Sequence, residues 1–408
     1  MKATNLEKTI SYLEGIWICV RELSIQILHC GDLHLGKHFN ISNFARALER
    51  KRDLERNFSK VVNYAIENGP DLFLVSGDIY DRILPTNPER VFLTKKIREL
   101  KDSGIHVFMI GGNHDVPKTA RLTNLAIESL QSAGLATIFS RSDWIQHRTI
   151  DVDGSKVCIS GKSYNALNES QNPLRNQRVP KKGNYNILML HAAFHGLNVA
   201  STVPYFINQN PITTADIRKD LNYLALGHYH NYFKRDHHNC TVCNPGSLEK
   251  ITWAEEGDRK GFVWVELSKS ETDVEFVPLE TRPMESKELI LYKDSDDVNR
   301  FVSSFLKEFT DSKTIVRLFL KGRISREQYQ RFRVNELYRF AQENFFHFDL
   351  VRGDLEVEGY GKIFVGRIES PVEAFTKRLD ALIEKAAPKE KGFLKLVKEL
   401  GLKYLEAE

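Results

Sequence analysis

Seven residues in this chain have the types and spacing that bind metal. Asp32 and His34 (G-D-L-H-L-G) lie two apart, so in extended backbone both side chains leave on the same face. Asp78 (S-G-D-I-Y-D), Asn113 (G-G-N-H-D), His191 and the pair His228 and His230 (G-H-Y-H) complete the set, and each motif follows a short apolar run. Mixed oxygen and imidazole donors suit manganese, iron or zinc better than magnesium or calcium, which prefer all-oxygen shells. One Asp shared by two cations ~3.5–4 Å apart would build a two-metal hydrolytic site. A single Asp or His of this kind more often caps a strand end. Five such motifs at five strand ends argue for a dinuclear centre.

Such a site needs strands whose ends converge. IQILH from Ile25 reads as a buried strand, and Arg52 to Glu67 has helical periodicity stopped by Asn68-Gly69-Pro70. DLFLVSGD is a second strand, Pro88 opens a helix to about Asp102, and HVFMIGG is a third strand. Short apolar strands alternating with helices predict an α/β layer, whose strand carboxyl ends gather ligand groups. Beyond Ser140, Asp153-Gly154 between RTIDV and KVCIS predicts a hairpin, and NILMLH, NYLALGH and GFVWVEL read as strands. The polar stretch from Lys162 to Gly183 reads as an exposed loop. LETRPMES, Leu279 to Ser286, marks a boundary at its proline. Strand, helix, strand, helix (about Arg326 to Glu343) and strand then make a small α+β unit, and two helical stretches follow Ser370-Pro371. The expected division is 1–23, an arm or helix; 24–283, the domain carrying the chemistry; 284–370, the α+β unit; and 371–408, a helical tail.

Composition narrows the class. The 408 residues are 41% hydrophobic, with 24 Phe and 14 Tyr, enough for two or three domains with real cores and too much for a disordered chain. No apolar run approaches the ~18–20 residues of a membrane span, and the start lacks a signal-peptide pattern. The expectation is a soluble, cytoplasmic protein without a membrane partner. A net charge of +4 permits a phosphate-bearing partner without demanding one. Five cysteines, an odd number, argue against a disulfide framework. Cys240-x-x-Cys243 is half of a zinc site with no second pair, so it reads as small buried side chains on a strand. Arg46, Arg50, Lys51, Arg52 and Arg56 are interleaved with Glu49, Asp53 and Glu55, which reads as a salt-bridged, solvated helix face.

In this order, D-x-H, G-D, G-N-H-D, a lone His after a strand and G-H-x-H are similar to the signature of the calcineurin-like metallophosphoesterases. More narrowly, DLHLG, GDIYDR, GNHD, GHYH, NPGSLEK and EEGDRKGFVWVEL resemble the SbcD-type DNA double-strand-break repair nucleases, over about Ile25 to Leu267. The resemblance implies a β-sandwich flanked by helices in αββα layers, a small α+β capping domain and a helical tail. It implies a two-metal exonuclease and endonuclease hydrolysing DNA phosphodiesters in repair. It further implies a homodimer, nucleoid-associated in a prokaryote, working with an SbcC-type, SMC-like ATPase that binds a helical segment after the cap. Carried over, Asp32, His34, Asp78 and His230 would hold one divalent ion, and Asp78, Asn113, His191 and His228 the other, usually manganese. His114 would contact the scissile phosphate or protonate the leaving oxygen, with Asp115 holding its ring. From position alone and not from the resemblance, Lys37, just beyond the first metal loop, is a better candidate for touching a DNA backbone than the basic helix run, of which Arg52 is the member singled out. One departure stands out: many archaeal and eukaryotic members carry a His three residues after the bridging Asp. Asp81 stands there in this chain, as in several bacterial members, which puts a two-histidine mechanism in doubt.

Two rival readings stay open. GDIYDR and GNHD also resemble motifs of the phosphoprotein phosphatases, which implies a phosphatase or small-phosphodiester hydrolase. Ile83 stands where those enzymes place a Gly, and DLHLG and the cap favour the nuclease. A non-enzymatic scaffold with structural metals is the third reading, opposed by the complete ligand set. In the tail, Phe393, Val397, Leu400 and Tyr404 fall at helical spacing with Lys391, Lys395, Lys398 and Lys403 between them, an amphipathic face for the chain's own domain or for the ATPase.

Overall fold

A computed structural model of the chain describes residues 9–13, 16–20, 24–118, 124–195, 209–269, 271–293, 297–362, 371–385 and 388–405. They fall into two compact units, Met1–Arg282 and Pro283–Glu408. The first opens with an antiparallel hairpin, Thr9–Leu13 (β1) and Ile16–Val20 (β2), paired from Thr9↔Val20 to Leu13↔Ile16. This corrects the expected arm or helix: TISYL and IWICV are rich in β-branched and aromatic residues, which fit a pleated surface better than a helix.

Strands and helices then alternate as Ile25–Cys30 (β3), Phe44–Asn68 (α1), Leu72–Ser76 (β4), Asn87–Asp102 (α2), His106–Ile110 (β5), Glu128–Ser132 (α3) and Thr137–Phe139 (β6). β3 to β6 lie parallel in that order. A second sheet is built from Gln146–Val152 (β7), Ser155–Lys162 (β8), Tyr185–His191 (β9), Tyr223–Gly227 (β10), Phe233–His237 (β11) and Cys240–Asn244 (β12), in the order β11-β12-β10-β9-β8-β7. Gly261–Leu267 (β13) and Thr272–Pro278 (β14) return to the first sheet antiparallel, β13 beside β3, giving β14-β13-β3-β4-β5-β6. The β7–β8 turn has Asp153 and Gly154 at φ 46° and 79°, the type I′ backbone that Asp-Gly favours.

The sheets meet face to face through Ile27, Leu74 and Phe108 on one side and Val157, Ile187, Met189 and Ala225 on the other. α1 and α2 cover the outer face of the first sheet, with Phe58, Val62, Leu93 and Ile97 on Leu28, Phe73, Val75 and Met109. The buried positions of α1 recur at helical spacing, Leu54, Phe58, Val61, Val62 and Ala65. The helix stops at Gly69, whose φ of 59° lets its N–H cap the Ala65 carbonyl. Cys243 enters the core between the sheets and Cys240 the cluster on the opposite face of β12, so their sulfurs do not converge. The basic run on α1 divides in a way the sequence reading did not foresee. Arg50 is buried, on Asp53 (3.1 Å), Glu249 (3.3 Å) and the Lys250 carbonyl, while Arg52 and Arg56 remain exposed beside Glu49.

The second unit is a four-stranded sheet of Met284–Leu291 (β15), Asp311–Ile324 (β16), Phe345–Val357 (β17) and Gly361–Lys362 (β18), parallel except for β18. Val298–Lys307 (α4), Arg326–Arg331 (α5) and Val334–Asn344 (α6) make the crossovers, and Val302, Leu306, Leu337 and Ala341 pack on Val316, Leu318 and Phe348. Pro371–Lys385 (α7) and Pro388–Leu405 (α8) pack as a pair, joined by Lys398–Asp380 at 2.6 Å. Phe393 is 68% exposed and Val397 half-buried, while the side chains of Leu400 and Tyr404 lie outside the described residues. No helix among the described residues is long and apolar enough to cross a membrane.

A buried polar chain stitches the two sheets together. Tyr223 Oη meets His29 Nδ1 at 2.8 Å, His29 Nε2 meets Ser76 Oγ at 2.9 Å, and Ser76 Oγ donates to the Leu226 carbonyl at 2.8 Å. Burial lowers His29 to about 3, so the ring stays neutral and serves as a structural link. At this seam Gly227 lies so close to the Ser76 carbonyl that a Cβ has no room. Gly227→Ala is therefore expected to cost ~1–3 kcal/mol or more by overpacking. The denaturant midpoint of the purified variant measures it, and an unchanged midpoint would show that the seam is loose.

Candidate metal centre

Because β3, β4 and β5 are parallel, and β9 and β10 are parallel, their carboxyl ends leave the sandwich in company. Asp32 and His34 follow β3, Asp78 follows β4, Asn113 follows β5, His191 ends β9, and His228 and His230 follow β10. Past the strands, the loops after β3 and β4 stay zipped. Asp32 N donates to Gly77 O (3.0 Å), His34 N to Asp78 O (2.9 Å), Leu35 N to Ile79 O (2.9 Å) and Asp81 N to Leu35 O (3.1 Å). This zipper requires left-handed backbone at Asp32 (φ 50°), His34 (45°) and Asp78 (47°), and His228 adds 108°. Each such non-glycine residue stores on the order of 1–3 kcal/mol, strain that persists where surrounding structure over-determines it. Gly112 has no space for a Cβ against the main chain and carboxylate of Asp78, and that gap lets the β5 loop close on the site.

The seven residues come together as two groups with a shared edge. His34 Nε2 and His230 Nε2 stand 3.1 Å apart, with Asp32 beside them. Asn113 Oδ1 stands 2.9 Å from His191 Nε2 and 3.2 Å from His228 Nδ1. Asp78 Oδ2 lies between the groups, 3.7 Å from His34 Nε2 and 3.4 Å from His191 Nε2.

The other ring nitrogens show what these atoms can do. His34 Nδ1 is on Asp81 Oδ1 (3.1 Å), His230 Nδ1 on Glu255 Oε1 (3.0 Å) and His191 Nδ1 on the Ser76 carbonyl (2.9 Å). Each partner accepts, so the neutral rings carry their proton on Nδ1 and turn the Nε2 lone pair inward. Three lone pairs and two buried carboxylates aimed at one space is a donor set that fits divalent cations.

The electrostatics agree. Burial raises Asp32 to about 6, with Asp78 adding to the rise and His191 and His230 opposing it. Burial works against a charge on His191, but Asp78 and Asp32 outweigh it and lift the ring to about 9. Burial would also raise Asp78, yet His191 and His34 hold it well below the usual carboxylate range. Burial lowers His34 to about 4 and pushes His228 far down. Without cations, protons supply part of the missing positive charge.

His114 stands at the mouth, with its backbone N–H on Asp78 Oδ1 (2.9 Å) and its ring Nδ1 on the Asp81 carbonyl (3.2 Å). This corrects the expectation that Asp115 holds the ring. Asp115 is buried and accepts from the main-chain N–H groups of Ile79 (3.0 Å), Tyr80 (2.9 Å) and Gly112 (2.9 Å), so it locks two site loops together. Lys37 reaches Asp81 Oδ1 at 2.9 Å, beside the centre. Arg52 sits on the exposed face of α1 with Glu49 at 3.6 Å and does not join the group. Sequence reasoning missed Glu255. Besides His230 it accepts from Lys260 Nζ (2.7 Å) and the Thr252 N–H (3.1 Å), and Lys260, its side chain fully buried, also donates to the His230 carbonyl (2.8 Å). Glu255 opens the EEGDRK stretch and sits three residues after Thr252, the spacing of a capping box, but neither signal points to a histidine in another loop.

A family model described as "Calcineurin-like phosphoesterase" matches residues 25–232, just over half of the chain. Among curated relatives, "DNA double-strand break repair protein Mre11" of Sulfolobus acidocaldarius is 24% identical over 74% of this chain and 76% of its own length. A protein of the same name from Sulfurisphaera tokodaii is 29% identical over 50% of this chain and 49% of its own. "Uncharacterized metallophosphoesterase YhaO" of Bacillus subtilis is 28% identical over 62% of this chain and 60% of its own. The matched stretch thus spans from about half to three quarters of these relatives.

Two outcomes follow from the outer partners and the charges. Glu255→Gln, which removes one of the two carboxylates on Lys260 and holds His230 less firmly, is expected to weaken manganese binding by ~10–100-fold with the circular dichroism unchanged. Calorimetric titration measures it, and wild-type affinity would remove Glu255 from the site. The second concerns pH. His191 in the folded protein lies above its ordinary 6.5, at about 9, so its stabilising contribution is complete below 6.5 and lost as pH rises to about 9. His230 is also raised, through Glu255, and acts in the same direction. In chelator the melting temperature should fall across that window; with manganese bound the fall should be much smaller.

Proposed function

The chain belongs to the calcineurin-like phosphoesterase family, and from that premise we propose that it is a two-metal DNA nuclease, acting as exonuclease and endonuclease in repair. The observation that carries this is Asp78 Oδ2 standing between two groups of inward-facing donors. In this reading Asp32, His34, Asp78 and His230 hold one divalent ion, and Asp78, Asn113, His191 and His228 the other. Manganese is the choice that the mixed oxygen and nitrogen donors favour. Bound there, such ions supply Lewis acidity toward a phosphoryl oxygen and make a water acidic enough to attack.

The chain's own residues do the rest. His114 is partly open to solvent at the mouth, and its Nδ1–H donates to the Asp81 carbonyl. With Nδ1–H held there, a ring protonated on both nitrogens can give its Nε2 proton to the departing oxygen and stay neutral with the remaining proton on Nδ1. Asp115 fixes the loop that carries His114 through the main chain of its neighbours.

DNA as substrate is supported by the relatives named for DNA double-strand break repair. The α7–α8 pair leaves Leu382, Phe393 and Leu396 exposed, which supports its use as the docking segment for an SbcC-type ATPase. Exposed Phe44 and Leu48 on α1, with Leu84 and Val91 at and before α2, support a homodimer joined through the first unit. The YhaO match favours a second reading, a hydrolase of some other phosphodiester or of phosphoproteins.

Linear duplex DNA, a chromogenic phosphodiester and a phosphopeptide, each tested with manganese and with chelator, separate the two. Manganese-dependent DNA cleavage is the expected result. His114→Ala should keep fold and metal content while lowering single-turnover cleavage by ~10²–10⁴-fold, the usual worth of a positioned acid. A variant above a tenth of the wild-type rate would end the acid role, and one that loses metal would make His114 a ligand.

A further inference from the structure

We propose that Lys37 is a phosphate-binding residue of this centre, its ammonium held at the mouth by Asp81 and offered to an oxygen of the substrate phosphodiester. The inference deepens the phosphodiesterase reading and rests on it.

The placement of Lys37 is built into the backbone. The zipped loops after β3 and β4 extend through the bridge Leu35↔Tyr80, so Lys37 and Asp81 arrive side by side. The Lys37 N–H closes a turn on the His34 carbonyl (3.1 Å), and Arg82 pins the turn from behind by donating to the Gly36 carbonyl (3.0 Å). Gly36 sits at φ 84° with the Glu89 carboxylate packed where a Cβ would be. A lysine on a free loop would not be held so firmly.

Its partner ties it to the chemistry. Asp81 Oδ1 accepts from Lys37 Nζ (2.9 Å) and meets His34 Nδ1 (3.1 Å), and it lies 4.0 Å from His114 Nδ1. One carboxylate oxygen therefore separates the ammonium from a metal-facing imidazole and from the proposed acid. The Lys37 side chain is 22% exposed and that of Asp81 16%, so the pair is shielded enough to be weakly screened and open enough for a ligand to reach. Charge requires the lysine as well. Alone, Asp81 would repel a phosphate approaching His114. Paired, it aims an ammonium whose remaining N–H donors are uncommitted to it, and a point charge with rotatable donors suits a phosphate oxygen.

The test uses the full chain loaded with manganese, as wild type, Lys37→Met and Lys37→Arg. Three quantities are read: manganese affinity, affinity for inorganic phosphate by calorimetry, and KM and kcat for duplex DNA. Lys37→Met should bind manganese no more weakly than wild type, because it removes a nearby positive charge. It should bind phosphate ~10-fold or more weakly, the usual worth of a charge-assisted hydrogen bond, and raise KM for DNA more than it lowers kcat. Lys37→Arg should recover most of the phosphate affinity. Phosphate affinity unchanged in Lys37→Met, or no phosphate binding by the wild type, overturns the proposal. Lost manganese binding or lower melting temperature with phosphate affinity intact would likewise reduce the pair to a structural ion pair. If the wild type cleaves no DNA while phosphate binding still depends on Lys37, the inference stands and the nuclease reading falls.

Discussion

Asp32 and Asp78 are both buried, and both face the imidazoles of His34, His191 and their neighbours. Taking a carboxylate out of water costs several kcal/mol unless a positive group or strong donors receive it. Without a cation, the relief comes from a proton on His191, which Asp78 and Asp32 together hold there. That crowding governs its surroundings. Every group that touches the outside of the cluster is itself committed: Ser76 by its carbonyl, Glu255 by Lys260, Asp81 by Lys37. The rings of His34, His191 and His230 cannot relax by rotating away, because each is held from behind. The centre is a crowd of charged and polar groups kept in place by hydrogen bonds from outside it.

The same necessity appears in the main chain. Of the eight non-glycine residues at positive φ among those described, four are Asp32, His34, Asp78 and His228. Three of these belong to the zipped loops after β3 and β4, and Asp115 fixes the adjoining turn with three main-chain hydrogen bonds. Strain spent in this way is the structural counterpart of electrostatic preorganisation: the ligands are aimed before anything binds. The His29–Ser76–Tyr223 chain beneath them makes the two sheets a single support.

What was legible in the sequence followed from local rules. Apolar runs gave the strands, Asp153-Gly154 gave its hairpin, and the motifs named seven residues that the folded chain brings together, because strand ends place them with few residues intervening. Contacts made across the fold were hidden. Glu255 lies behind His230 only because the loop after β12 folds back. Arg50 looked like its exposed neighbours until the 248–250 loop covered it. Asp115 misled by adjacency, since a tight turn points it away from the residue beside it. β1 and β2 carry strand-type residues, but runs of five are too short to show a period that separates strand from helix.

The order in which the ligands are made has its own consequence. β3 lies between β4 and β13, so the strand that leads to Asp32 and His34 lacks one neighbour until residue 267 has been synthesised. His228 and His230 leave the ribosome almost two hundred residues after Asp32. For that interval the nascent chain carries two buried-to-be carboxylates without the histidines that complete their shells. Contacts so distant in sequence form slowly. A centre that needs all seven residues is therefore completed only late in the making of each molecule.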